Sequence, residues 1–255
     1  MIADIPGARV WYQDTGGNGP AVILLHARTG CAPMWRRQLA AFSTAGYRCV
    51  AYDRRQSGRT DVTPGAPEAL PADDLRALVD ALGIARFHLI GTAAGGIVAL
   101  DFALSHPERV RTLVFANSVG SAEIKQEPEY ITAAAQLRPP DELPPEIREL
   151  GAWYRSHDAA GVREWLEMGK ETRAKKPPFP RTHNRITLAR LAELKVPALL
   201  LTGDIDPYTP PAVLEVFHRR MPHATALVIP DSGHSAFWEQ PERFNRAVLD
   251  FLSKN

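Results

Sequence analysis

The sequence predicts an α/β fold in which a mostly parallel sheet is covered by helices on both faces. Short apolar runs of strand length alternate with stretches of helical periodicity along the 255 residues, as in proteins built from βα units. The alternation stops between residues 119 and 185, where proline-rich segments separate helical patches. Trp153, Tyr154 and Trp165 in this stretch are unusual for a disordered linker. We therefore predict a helical cap over residues 119–185 and a core of residues 1–118 and 186–255.

Each core element has its own signal. Apolar runs bounded by turn residues predict strands, whereas Trp35, Leu39 and Phe42 recur at helical spacing and Pro107 ends a helix. The predicted strands are Val10–Tyr12, Ala21–His26, Arg48–Asp53, Phe87–Gly91, Arg111–Ser118, Ala198–Gly203 and Ala226–Ile229. The predicted helices are Met34–Ala45, Pro71–Leu82, Gly95–Ser105, Pro211–Arg220 and Pro241–Leu252, and in the cap Tyr130–Leu137, Ile147–Tyr154 and Gly161–Ala174.

Composition excludes several functional classes. Thirty Lys and Arg against 29 Asp and Glu give a net charge of +1, which argues against a nucleic-acid groove or a polybasic membrane anchor. Apolar runs stay far below the ~20 residues of a membrane span, and the first residues lack the features of a signal peptide. Cys31 and Cys49 are too few for a disulfide framework. We therefore expect a cytoplasmic protein, and we leave a homodimer open.

The segment with most chemical information is Gly91-Thr92-Ala93-Ala94-Gly95, between a predicted strand and helix. A tight strand-to-helix turn exposes its central residue above the sheet, and the glycines allow close backbone approach. The following helix start offers free N–H groups to an anion. The spacing fits neither a dinucleotide loop nor a Walker loop.

In this context the chain resembles the α/β-hydrolases, whose turn reads G-x-S-x-G and whose nucleophile, acid and histidine follow in that order. The resemblance covers nearly the whole chain outside residues 119–185. LTGDIDPYTP at 201–210 is similar to the family's acid loop and implies Asp206 as the acid, with Asp204 as the alternative. PDSGHSAFWEQ at 230–240 is similar to the histidine loop and implies His234 as general base and acid.

The resemblance extends to two further loops. LHARTG at 25–30 is similar to the loop that carries an oxyanion donor, with Ala27 in place of glycine. It implies that the backbone N–H groups of Arg28 and Ala94 form the oxyanion hole. DRRQSGRT at 53–60 is similar to a structural turn of the family, in which we expect Asp53 and Arg54 to lock loops together.

The family's serine position is occupied by Ala93. A methyl group cannot attack a carbonyl carbon, so the chain as written is expected to be catalytically impaired. We interpret Ala93 as a replaced serine in an otherwise intact triad. A natural variant that binds a ligand, or a lyase or cyclase without a nucleophile, stays open as the alternative. A dehalogenase of this fold would need an aspartate at position 93.

The resulting functional hypothesis is a serine-type hydrolase that cleaves a carboxylic ester or lactone through an acyl-enzyme. Hydrolysis of a C–C bond in a ring-cleavage diketone is the alternative, since a fold alone does not select a substrate. We expect a small apolar or aromatic substrate contacted by Trp153 and Phe237. The Arg28 side chain either pairs with a substrate carboxylate or lies at the rim. We interpret Cys31 as a small buried apolar residue. No motif predicts a metal or cofactor.

Overall fold

The computed structural model of the chain describes residues 1–134, 140 and 142–255. Nine described strands form one sheet, in which β5 pairs only with β2 and the others follow the order β1-β2-β4-β3-β6-β7-β8-β9. Pairing is antiparallel among β1, β2, β4 and β5 at one edge and parallel from β4 to β9. The strands are β1 (Ile2–Ile5), β2 (Ala8–Asp14), β3 (Ala21–Leu25), β4 (Arg48–Tyr52), β5 (Asp61–Val62), β6 (Phe87–Thr92), β7 (Val110–Ala116), β8 (Ala198–Gly203) and β9 (Thr225–Ile229).

Helices cover both faces of this sheet, as predicted. Successive residues of β3 point to opposite faces, so Ile23 and Leu25 join one apolar cluster while Val22 and Leu24 join the other. The described helices are α1 (Arg36–Thr44), α2 (Pro71–Ala81), α3 (Ala94–Ser105), α4 (Pro128–Ala134), α5 (Pro145–Glu149), α6 (Ala152–His157), α7 (Ala159–Lys175), α8 (Pro211–Arg220), α9 (Ala236–Glu239) and α10 (Pro241–Leu252). In the described part of the chain, none of them has the length and apolar character needed to cross a bilayer.

The sequence missed three short elements. β1 has four residues and β5 has two, both at the antiparallel edge, where half-exposed strands lack the continuous apolar runs of the parallel strands. The four residues of α9 are too few to show helical periodicity. The predicted helix at Met34–Ala45 begins instead with a 3-10 turn, Ala32–Trp35, that holds a proline in its first turn.

Between β7 and β8, the described residues form helices and 3-10 turns. The predicted helix Tyr130–Leu137 corresponds to α4, although residues 135–137 lie outside the described residues. The predicted helix Ile147–Tyr154 is divided into α5 and α6 at Gly151. Gly151 is extended there, with φ −63° and ψ 149°, because its N–H is drawn to the Glu239 carboxylate at 2.7 Å.

This helical insertion leaves and rejoins the core at neighbouring points. The buried Asp101 of α3 accepts hydrogen bonds from the backbone N–H groups of His183 and Asn184 at 3.0 and 2.9 Å. The Ser121 hydroxyl at the start of the insertion donates to the Ile186 carbonyl at 2.7 Å. The two ends of the insertion are therefore fixed to the core.

The turn from β6 to α3 has the tight geometry that the sequence predicts. A Cβ at Gly95 would lie 2.2 Å from the Leu25 carbonyl oxygen, and a Cβ at Gly91 would lie 2.4 Å from the Gly95 oxygen. Only glycine fits at both positions. Ala93 between them has φ 49° and ψ −117°, a conformation that L-residues avoid.

We expect Ala93→Gly to raise the free energy of unfolding by about 1 kcal/mol, because relief of the backbone strain exceeds the extra entropy of glycine in the unfolded chain. The matched control Ala94→Gly, one residue into α3, should lower it by roughly 0.5–1 kcal/mol. Denaturant titration of both variants measures the difference. Equal destabilisation by the two changes would show that position 93 carries no strain.

Candidate active site

A cavity of about 510 Å³ opens beyond the carboxyl ends of the parallel strands, between the core and the helical insertion. Residues that follow β3, β6, β7 and β9 contribute one wall, among them Arg28, Ala93, Asn117 and His234. The insertion contributes the opposite wall through α4, α5 and Phe179. This edge of an open parallel sheet is where proteins of such topology place their ligands.

His234 forms a hydrogen-bonded pair with the buried Asp206 at this cavity. The imidazole Nδ1 lies 2.9 Å from both carboxylate oxygens of Asp206. Since a carboxylate can only accept, Nδ1 carries the proton and donates, which leaves Nε2 available as a base. This is the contact that an acid and a histidine need to act together.

Hydrogen-bond donors surround the fully buried Asp206 carboxylate. It accepts from the backbone N–H groups of Tyr208 and Thr209 at 2.8 and 3.0 Å, and from the Thr209 hydroxyl at 2.5 Å. The Asn117 amide donates to it at 2.9 Å. Burial opposes the charge, but His234 and these donors hold the pKa of Asp206 well below its usual range. Asp206 is therefore a fixed negative charge beside His234.

The pKa of His234 moves in the opposite direction. Burial alone would lower it, but the negative charge and hydrogen bond of Asp206 raise it, with smaller contributions from Glu149 and Glu239. A raised pKa makes the imidazole a stronger base for a proton on a reacting group.

Asp204, the alternative acid, has a different role. Its carboxylate accepts from the backbone N–H groups of Asp231 and Ser232, both at 3.0 Å. It thereby shapes the turn that precedes His234. The structure brings Asp206, and not Asp204, to the imidazole.

Ala93, Ala94 and Arg28 line the same cavity as His234. Ala94 is the first residue of α3, and the first N–H groups of a helix have no partner within it. Arg28 is an exposed residue, and its Nη1 donates to the Pro177 carbonyl of the insertion at 3.3 Å. The residues predicted for the nucleophile position and the oxyanion hole are thus together in one cavity.

The loop that carries Arg28 is fixed by a buried neutral histidine. His26 donates from Nδ1 to the Ala27 carbonyl at 2.6 Å and accepts the Arg54 N–H on Nε2 at 3.1 Å. Burial, reinforced by Arg54, keeps the pKa of His26 well below its ordinary value. Asp53 accepts the N–H groups of Ala32 and Arg59 at 2.6 and 2.8 Å. Asp53 and Arg54 therefore tie loops together, as the sequence predicts.

The two aromatic residues predicted to contact substrate lie elsewhere. Trp153 is 42% exposed and stacks on His157 with ring centroids 4.3 Å apart. Phe237 is buried against Trp35, at 4.3 Å between centroids, and against Phe244. Neither is among the described residues that line the cavity, so the structure does not bring these two side chains to it.

Other aromatic rings take their place. Tyr130, Phe179 and Tyr208 line the cavity, and the Tyr208 ring lies 4.7 Å from the His234 ring. Tyr208 belongs to the acid loop at residues 201–210. Its place two residues after Asp206 is the one sequence feature that indicates a position near the site.

A buried carboxyl group that no sequence pattern singled out also reaches the cavity. Glu149 ends α5, is 8% exposed, and lies 3.4 Å from the Thr29 hydroxyl. Burial raises its pKa, although His234 and Arg148 oppose the change. Three basic residues, Arg28, Lys125 and Arg148, line the same cavity.

Cys31 lies outside this cavity, in the wall of a second one. Burial raises the pKa of its thiol to about 12, so it is not a thiolate at neutral pH. Among the described residues, no three His, Cys, Asp or Glu side chains are grouped to hold a metal ion.

The comparisons with known proteins agree with this geometry. The model of the alpha/beta hydrolase family matches residues 22–247, so the chain belongs to the alpha/beta hydrolase family. A 2-hydroxy-6-oxononadienedioate/2-hydroxy-6-oxononatrienedioate hydrolase of Burkholderia vietnamiensis is 34% identical to it, over 100% of this chain and 94% of that protein.

Two solved structures are similar over the full length. A thermophilic esterase from Thermogutta terrifontis, with malate bound, superposes with a TM-score of 0.78 at 26% identity, covering 100% of this chain and 98% of that one. The enol-lactonase of Burkholderia xenovorans superposes with a TM-score of 0.76 at 22% identity, covering 99% and 100%. The second likeness shows the fold alone.

We expect Asp206→Asn to lower the pKa of the His234 imidazole, because the change removes the negative charge that stabilises its protonated form. NMR titration of the ring signals measures this pKa directly. Asp204→Asn is the matched control, since Asp204 bonds to backbone N–H groups and should leave the titration in place. If Asp204→Asn moved the titration as far as Asp206→Asn, the assignment of the acid would be incorrect.

Proposed function

We propose that this cavity is the active site of a hydrolase for carboxylic esters and lactones, in which residue 93 supplies the nucleophile when it is serine. The observation that carries the proposal is the hydrogen-bonded pair of His234 and the buried Asp206, with His234 in the same cavity as the strained residue Ala93. A buried carboxylate and a strained alanine both oppose folding. Packing alone gives no reason to retain the two features side by side.

In the serine form, the reaction proceeds by acyl transfer. His234 Nε2 takes the proton of the serine hydroxyl as its oxygen attacks the carbonyl carbon. The N–H groups of Arg28 and Ala94 hold the resulting oxyanion, and His234 returns the proton to the departing alkoxide. Water then loses a proton to His234, attacks the acyl carbon and releases the acid and the serine hydroxyl.

In the chain as given, Ala93 leaves the binding surface intact and removes the attacking oxygen. The His234–Asp206 pair, the oxyanion donors and the cavity wall need no hydroxyl at position 93 to keep their arrangement. This form should bind substrate and fail to form an acyl-enzyme. We also propose that residues 119–185 act as a cap that selects the substrate, since Tyr130, Glu149 and Phe179 of that segment line the cavity.

The Arg28 side chain refines the substrate class. Among the described lining residues, Arg28 places a guanidinium group in the cavity that also holds Ala93 and His234. Guanidinium groups bind carboxylates by charge-assisted hydrogen bonds. We therefore propose a substrate that carries a carboxylate beside its apolar or aromatic part, with Arg28 as the residue that binds the carboxylate.

Hydrolysis of a C–C bond in a ring-cleavage diketone is a second candidate. It is supported by the 34% identity to a hydrolase whose name gives a dienedioate substrate and by the Arg28 guanidinium in the cavity. The same oxyanion donors would serve a ketone carbonyl. An assay panel that contains a vinylogous diketone acid beside esters and lactones distinguishes the two candidates.

Ala93→Ser should raise the rate of ester hydrolysis by about 10³-fold or more over the unmodified chain, because the triad then acts as a unit. A spectrophotometric panel of esters and lactones measures the gain, and calorimetry of the unmodified chain measures binding of the best substrate. The double variant Ala93→Ser/His234→Ala is the control and should return the rate to the starting level.

Two results would contradict this assignment. If the serine variant has no activity on any compound of the panel, the proposed hydrolase activity is excluded. Turnover by the unmodified chain at the rate of the serine variant, lost on His234→Ala, favours chemistry without a nucleophile.

Arg28→Gln in the serine form should raise KM for a carboxylate-bearing ester by roughly fivefold, as expected for loss of one solvent-accessible charged contact. KM for the neutral methyl ester of the same compound should stay within about twofold. Arg246→Gln, an exposed residue of α10, controls for a general charge effect. Equal changes in KM for acid and methyl ester would exclude a carboxylate contact.

A further inference from the structure

Glu239 is a buried carboxylate that bonds to the backbone on both sides of His234. It belongs to α9 and is 3% exposed. One carboxylate oxygen, Oε2, accepts the Gly233 N–H at 2.9 Å, and the other, Oε1, accepts the Ser235 N–H at 3.0 Å. The two residues that flank the imidazole residue are thus held by one side chain.

The same carboxylate reaches the helical insertion. Oε2 also accepts the Gly151 N–H at 2.7 Å, in the link between α5 and α6. Two residues earlier, the Glu149 carbonyl accepts the His234 N–H at 2.8 Å. The link at residues 149–151 therefore supplies the Glu149 carbonyl as acceptor for the His234 N–H. It also supplies the Gly151 N–H as donor to the Glu239 carboxylate.

These bonds form a closed arrangement. Three consecutive N–H groups, those of Gly233, His234 and Ser235, are all occupied by groups on α9 or the insertion. If the link at residues 149–151 moved away, His234 would lose its own backbone partner and Glu239 would lose its shortest bond. The placement of His234 therefore depends on docking of the insertion.

We propose that Glu239 is a positioning residue that couples the alignment of the His234 imidazole to docking of the insertion segment at residues 149–151. When the segment is docked, all three backbone N–H groups at residues 233–235 have acceptors and the imidazole Nε2 is directed into the cavity. Undocked, the backbone around His234 gains freedom and the imidazole leaves its contact with Asp206. The inference deepens the proposed function, because it assigns the base of that site a structural partner on the opposite wall.

The charge on Glu239 matters for this role. Burial raises its pKa to about 7, although the three N–H groups favour the carboxylate. A protonated carboxyl would present a donor where three donors already converge. The nearby charged groups are Asp206 and His234, so tests belong at about pH 8, where Glu239 is ionised.

Glu239→Gln tests the proposal, because the amide keeps the size of the side chain but replaces one acceptor oxygen with a donor. In the serine form we expect kcat to fall about 10-fold or more with KM within about twofold, as for a misaligned base. The NMR signal of the His234 Nδ1 proton should weaken or shift, since its contact with Asp206 loosens. Glu242→Gln, an exposed glutamate three residues away in α10, is the matched control and should change neither readout.

A measurement on the unmodified chain covers the case in which Glu239→Gln does not fold. Amide hydrogen exchange of Gly151, Gly233 and Ser235 should occur with the same protection factor within about threefold, because one opening event releases all three N–H groups. Much faster exchange of Gly151 than of the other two would overturn the coupling to the insertion.

The outcomes separate this inference from the proposed function. The NMR and exchange readouts need no substrate, so an inactive serine variant would contradict the hydrolase assignment and leave the role of Glu239 testable. A Glu239→Gln variant with unchanged kcat and an unchanged His234 signal would overturn the positioning role alone.

Discussion

The buried carboxylate of Asp206 is the constraint on which the arrangement of the cavity depends. A charge with no exposed surface is costly unless every lone pair is matched by a donor. Here the donors come from the end of β7 through Asn117, from its own loop through Thr209, and from the loop after β9 through His234. Satisfying one carboxylate therefore fixes three loops relative to each other, and the imidazole is placed as a consequence.

The parallel core was predictable because each of its strands carries its own signal. Val22–Leu25 is apolar at every position and both faces of β3 are buried, so no alternating pattern competes with a central strand. The glycines around Ala93 were readable for a similar reason, since the tightness of that turn is a property of five consecutive residues. Asp206 and His234 were found by order and spacing along the chain, which the family resemblance supplied.

The opposite wall was not predictable, because its contacts join residues that are far apart in sequence. Glu149 and Glu239 are ordinary glutamates in helical segments, and only the fold shows that both carboxyl groups are buried beside the His234 loop. The positions of Trp153 and Phe237 were not predictable for the same reason. An aromatic residue at helical spacing does not reveal whether it faces solvent, as Trp153 does, or packs under the sheet, as Phe237 does.

The cavity therefore has two parts with different physical origins. The core wall is fixed by strand ends, by the strained turn at Ala93 and by the bonds that Asp206 accepts from Asn117 and Thr209, and these features need no contribution from residues 119–185. The insertion wall reaches the His234 loop through the bonds at residues 149–151. Because the donors Asn117 and Thr209 that hold Asp206 belong to the core, changes of the insertion should alter substrate selection and the alignment of His234 before they disturb the placement of Asp206.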